Sequence, residues 1–216
     1  MAYYLVSALI GIIITTYEVL RVTSSAKLYG TVLYLEKVFI GGYVSIAFFI
    51  LIMFAGAINP KWVITKKLLS IRAELAIIAS IFIMPHSIIY LIRFIVLKLP
   101  KAFKTGVIPK LYIAYISIGI IAFFIMIPLF ITSFKKVRRK IKGIQWARLQ
   151  RFAYIFYFLV YIHILLVLLN GKYIEWLKLS SYTTIFGIYV VFKLIKYKNN
   201  KQAKLDYTKR VDKVKM

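Results

Sequence analysis

The sequence predicts an all-α fold: an integral membrane bundle of about six transmembrane helices. Three observations predict it. The 216 residues are 62% hydrophobic with a mean hydropathy of +0.83, well above the roughly 45–50% apolar content of an average soluble domain. The apolar residues gather into runs near the length of about 20 that a helix needs to cross the hydrocarbon. The 31 Lys and Arg, set against six Asp and Glu for a net charge of +25, fall mainly between those runs. High hydrophobicity joined to high charge excludes a soluble globular enzyme, a disordered tail and a secreted disulfide scaffold. A nucleic-acid-binding domain would gather its charge on one folded face, so no nucleic-acid partner is expected.

The expected spans are Ala2–Tyr17, Phe39–Ile58, Ala73–Leu97, Leu111–Thr132, Phe152–Leu169 and Tyr173–Leu194. The first has no Lys or Arg before it and no clean small-residue cleavage pattern after it, so it reads as a retained span rather than a signal peptide. Alternate loops share a side. With the termini taken together, 21 Lys and Arg lie on one side and ten on the other. The Ser133–Arg151 loop alone carries eight, and the tail from Lys193 carries nine. Basic loops stay in the cytoplasm, so both termini are expected there, in a multi-pass protein of the cell membrane. Residues 1–195 then form one transmembrane domain and 196–216 a basic cytoplasmic tail facing anionic lipid or docking a partner. Trp62, Trp146 and Trp176 lie near span ends, as interfacial anchors do.

With no cysteine, the chain has no thiol nucleophile, disulfide, cysteine-ligated iron–sulfur cluster or Cys-based zinc site. Its two histidines, His86 and His163, both fall inside apolar spans, where an ionisable ring marks a functional site by default. His86 lies 13 residues into the third span and His163 lies 11 into the fifth, depths of roughly 20 and 17 Å. The two spans run parallel, so the imidazoles are expected at nearly one height. Two imidazoles at one height can hold a haem iron from opposite faces, with Phe82, Ile83, Ile89, Val160 and Val167 suited to the porphyrin edges. A lone membrane histidine can equally serve as an interhelical hydrogen-bonding residue. Zinc would want four ligands, and no acidic residue sits at that depth. Pro85 is expected to kink the third span beside His86. Arg93, two turns outward from His86, suits either a haem propionate or a snorkelling anchor. Lys172 is a second propionate candidate.

Two segments carry a family resemblance. SIRAELAIIASIFIMPHSIIYLIRF, Ser70 to Phe94, and WARLQRFAYIFYFLVYIH, Trp146 to His163 behind the basic run KKVRRKIK, resemble the ferric-reductase-like transmembrane family, especially its YedZ/MsrQ branch. The resemblance implies a helical bundle that binds b-type haem and passes electrons across the membrane, with His86 and His163 as axial iron ligands. In that branch it implies a periplasmic molybdopterin reductase that repairs oxidised methionines as partner; other members reduce ferric iron or oxygen. Gln150 stands where the family has a histidine, and neither Arg72 nor Ala73 offers a ligand before His86. One haem b is therefore expected, not two. Ala76 replaces a motif glycine.

The expectation is thus a haem-binding electron-transfer subunit serving an extracytoplasmic acceptor. No dinucleotide-binding glycine loop follows a strand, so the donor would be a separate reductase polypeptide, or a quinol or bound flavin in the cytoplasmic half. That half holds Arg72, Glu74, Arg148, Gln150 and Arg151, which interfacial salt bridges would also explain. The competing class is a haem-free transporter or assembly scaffold. A hydrolase fits least, since the six acidic residues lie near span ends or in the tail.

Overall fold

The computed structural model describes residues 2–24, 34, 37–106, 110–171 and 173–215. Ten α-helices and one π segment account for nearly all of them, with no strand among the described residues. In chain order the helices are α1 (Ala2–Ser24), α2 (Tyr43–Ala57), α3 (Val63–Ser70), α4 (Arg72–Arg93), α5 (Leu99–Thr105), α6 (Lys110–Ser133), α7 (Lys135–Arg138), α8 (Gly143–Gln150), α9 (Phe152–Leu169) and α10 (Trp176–Lys215). The π segment, Phe94–Lys98, joins α4 to α5.

Four helical stretches are long and apolar enough to cross a membrane: Tyr3–Leu20, Arg72–Thr105, Lys110–Ser133 and Gly143–Leu169. The second expected span is α2, which has only 15 residues. The sixth lies in the first half of α10, which is helical but carries Lys178, Ser180, Ser181 and Lys193 among its apolar residues. Large apolar side chains face outward all along the bundle, among them Leu5, Ile12, Phe124, Phe158 and Val190. That pattern suits a protein whose solvent is lipid.

Lipid tails are as apolar as the core, so helices in a bilayer are held mainly by close packing and hydrogen bonds. Small residues supply the closeness here: Ala55, Ala57, Ala79, Ala122 and Ala153 are all buried. Between them sit rings, with Phe49 on α2 meeting Phe156 on α9 at 5.0 Å and Tyr161 on α9 meeting Phe186 on α10 at 5.0 Å. The first helix lies against α4 along Ser7, Gly11 and Glu18, which share one face of α1. At Gly11 a side-chain carbon would touch Ile81 at 3.7 Å and Pro85 at 3.9 Å. The Ser7 hydroxyl donates to the Tyr3 carbonyl at 2.8 Å, and the Thr15 hydroxyl to Gly11 at 2.7 Å. These back-bonds let both hydroxyls sit among apolar groups without an unmet donor.

Two prolines shape the third span differently. Helix α4 runs unbroken through Pro85 from Arg72 to Arg93. The change of pitch comes instead at Phe94–Lys98, just before Pro100 in the first turn of α5. Proline lacks a donor and crowds the carbonyl four residues back. A π turn widens the helix at that point and accommodates the ring. Gly106, at φ 66°, then ends α5. At the other end of the chain, α10 continues as one helix through the basic segment expected to be a tail. Its 40 residues span about 60 Å.

Candidate functional site

The two histidines meet. Their ring centroids lie 6.2 Å apart with the planes crossed at 85°, at one height on α4 and α9. Helix α6 packs on both of these helices, which have no comparable contact with each other. The imidazoles therefore come together beside α6.

Each ring is fixed by its Nδ1. His86 Nδ1 lies 2.7 Å from the carbonyl oxygen of Ile40, and His163 Nδ1 lies 2.8 Å from that of Tyr115. A carbonyl only accepts, so each Nδ1 carries the proton and donates it. That tautomer leaves Nε2 on the far rim of each ring with a lone pair, the form in which imidazole binds a metal. Local structure explains both acceptors. Gly42 takes up φ 76°, a left-handed conformation that glycine adopts without penalty, and interrupts the helix between Ile40 and α2. The Ile40 carbonyl stands at that break and points to α4. Tyr115 lies within α6, one turn before Gly119.

Glycines also make the room. A carbon added at Gly119 would stand 3.0 Å from both Cε1 and Nδ1 of His163. One added at Gly42 would stand 3.2 Å from Ile83 Cδ1 and 3.4 Å from His86 Nδ1. Each histidine is thus seated closely against a glycine, where a side chain would press on the ring or its neighbour.

The two imidazoles would be the side chains to hold a metal or haem iron at this point. Among the described residues no three His, Cys, Asp or Glu side chains converge, which is short of the ligand set of a tetrahedral site. Ile83 and Val160 are partly buried beside the core, Ile89 is fully buried, and Val167 is 42% exposed. Phe82 turns toward Phe39 and Phe48.

Aromatic rings continue outward from the pair. Tyr90 lies 4.7 Å from His86, Tyr115 lies 6.0 Å from His163, and Tyr112 follows Tyr115 at 5.0 Å. Arg93 sits over Tyr90 and forms an ion pair with Glu18 of α1 at 3.0 Å. Glu18 is fully buried. The expectation that the first span stops at Tyr17 hid this partner, because α1 continues to Ser24 and carries the carboxylate inward. Lys172 lies outside the described residues.

At the other end of the bundle the expected inner residues separate. Glu74 pairs with Lys135 at 3.4 Å. Gln150 donates to the Thr132 hydroxyl at 3.2 Å, and the Trp146 indole to the Thr132 carbonyl at 3.3 Å. The guanidinium of Arg72 lies over Gly56. Sequence reasoning singled out neither Glu18 nor the two glycines. The one available signal was the pair Gly41–Gly42 at the mouth of an apolar run.

The comparisons agree with this architecture. A model of the ferric reductase like transmembrane component family matches residues 41–168. An uncharacterized protein of Treponema pallidum (strain Nichols) is 31% identical over 160 residues, covering 70% of this chain and 42% of its own length. The chain therefore spans less than half of that relative. No solved structure matches. The family match takes in more than half of the chain and both histidines, so this multi-pass membrane protein belongs to the ferric reductase like transmembrane component family.

Proposed function

We propose that the protein is an electron-transfer subunit that holds one b-type haem between His86 and His163 and serves an acceptor on the extracytoplasmic side. The observation that carries the reading is the facing of two imidazoles at 6.2 Å with both Nδ1 atoms committed to backbone carbonyls. His86 and His163 would hold the haem, which would supply a one-electron couple suited to electron transfer. The chain's own residues do the rest. Ile40 and Tyr115 hold the tautomer and aim the rings. Gly42 and Gly119 keep the backbone close to the histidines. The surrounding apolar helices exclude water.

Arg93 lies seven residues beyond His86 on α4, and its guanidinium is the group in this reading that pairs with a propionate. In this reading residues 1–195 act as one unit, since α1 packs on α4 through Glu18 and Gly11. The basic segment 196–216 is its extension. The donor is a separate reductase, or a quinol or flavin at the opposite end. A separate acceptor protein is the partner.

The test is absorbance of the full chain purified from haem-replete cells. A Soret band that shifts on dithionite, with one haem per chain by pyridine haemochrome, is the expected result. Purified protein without Soret absorbance would overturn the reading.

A further inference from the structure

Three cations gather where α2 ends, at the end of the bundle away from the histidines. Lys196 Nζ donates to the carbonyls of Gly56 and Ile58, each at 3.1 Å. Lys193 Nζ donates to the Tyr154 hydroxyl at 2.8 Å and reaches the Gly56 carbonyl at 3.5 Å. The Arg72 guanidinium lies flat over Gly56: a carbon added there would be 3.9 Å from Cζ and from both terminal nitrogens. The ion pairs found among the described residues are Arg93–Glu18, Lys135–Glu74 and Lys178–Glu175, and none involves these three cations.

The partners they have are neutral. The last carbonyls of α2 offer a partial charge of about −0.5 against three full positive charges. Burial, then the nearness of Lys193 and Arg72, pushes the Lys196 ammonium below the usual lysine range. An ammonium has three donors and a guanidinium five, so donors remain after these contacts. The geometry calls for an anion with several acceptor oxygens.

The flank of the cluster says how that anion arrives. On α10, Phe192 and Tyr197 flank the two lysines on the same side of the helix and are exposed at 41% and 67%, as aromatic side chains at a membrane interface are. A phosphate carried on acyl chains satisfies both surfaces at once. Basic pockets between helices at the cytoplasmic interface bind such headgroups.

We propose that Arg72, Lys193 and Lys196 form a binding site for the phosphate of an anionic phospholipid, clamped at the junction of α2, α4 and α10. The test reconstitutes the full chain in nanodiscs of phosphatidylcholine with phosphatidylglycerol and counts retained phosphatidylglycerol by native mass spectrometry. The wild type should keep it in preference to phosphatidylcholine. Lys193→Gln/Lys196→Gln should weaken retention about 30-fold, which is about 2 kcal/mol at 1.4 kcal/mol per decade. Lys198→Gln/Lys201→Gln, further along α10, should leave it unchanged. Equal retention in both double variants, or none in the wild type, would overturn the site. Displacement of the lipid by millimolar inorganic phosphate would overturn the lipid source and assign a soluble anion. Should the cluster variant misfold, the wild-type competition between the two lipids decides alone.

Discussion

The rings of His86 and His163 stand 6.2 Å apart with their planes crossed at 85°, each pinned through Nδ1 to a carbonyl of a third or fourth helical segment. Four segments therefore cooperate in one geometry: α4 and α9 carry the rings, and the break before α2 and the body of α6 aim them. A histidine retained only to join two helices would spend its ring on one partner. Here both Nδ1 atoms are committed to backbone carbonyls, which leaves each Nε2 with its lone pair.

His86→Ala and His163→Ala should each remove the Soret band or cut it to a small, easily extracted fraction, because each removes one of the two side chains that would hold the haem. Gln150→Ala should leave haem content at one per chain, since Gln150 is occupied with Thr132 at 3.2 Å, far from the pair. Haem content against protein by pyridine haemochrome checks both. A halved content in Gln150→Ala would contradict the single site.

The histidines were legible because polar rings in apolar spans stand out in the sequence, and helical rise alone put them at similar depth. Their seats were not legible. Gly119 is one apolar-span glycine among several, and only the tertiary approach of His163 gives it meaning. Glu18 was misplaced for a physical reason: a charge normally ends an apolar run, yet α1 carries it onward because Arg93 waits across the interface. The tail was cut from the bundle on composition, while its Lys, Gln, Ala and Leu residues favour helix, and α10 continues through them. The fold class and family were readable from run length and two motifs, since these depend on local sequence. The span count was harder, because α2 is short and α10 is mixed.

Gly119→Ala should loosen the site without unfolding the bundle. The added carbon meets His163 at 3.0 Å, so the ring or α6 must shift by a few tenths of an ångström. The expected outcome is weaker haem retention and a broadened Soret band with unchanged helicity. Gly42→Ala adds a backbone penalty of roughly 1–2 kcal/mol for a left-handed residue bearing Cβ to its contact with Ile83, and should lower thermal stability as well. Circular dichroism melts alongside haem content separate the two effects.

The Glu18–Arg93 pair should behave as a buried unit. Removing either partner alone strands a charge, at a cost of about 3–5 kcal/mol for a fully buried pair and less here, because the Arg93 side chain is 27% exposed. Glu18→Met/Arg93→Met should be more stable than either single variant. Thermal aggregation midpoints of the four proteins give the coupling directly. Additive losses would mean that the pair contributes nothing as a pair.

Ser45 is fully buried on α2, and its hydroxyl is the buried side-chain polar atom left without a hydrogen-bond partner among the described residues. Ser45→Ala removes an unmet donor and should be neutral or stabilising. A marked loss of stability on that substitution would show that the hydroxyl has a partner, such as an ordered water.

The same pair of charges predicts opposite electrochemical shifts. Glu18 and Arg93 lie on the Tyr90 side of His86, close enough for their fields to reach an iron at the histidine pair. A nearby positive charge favours the reduced, less positive iron, and a nearby negative charge favours the oxidised form. Glu18→Gln removes the negative charge beside Arg93 and should raise the midpoint potential. Arg93→Met removes the positive charge beside Glu18 and should lower it. The two variants disturb packing in the same place and cost stability in the same direction, so a purely structural role would move both potentials alike. Spectroelectrochemical titration of both variants against wild type, at one pH and ionic strength, therefore separates field from fold. Shifts of the same sign would place the pair outside the redox site and leave it as a brace between α1 and α4.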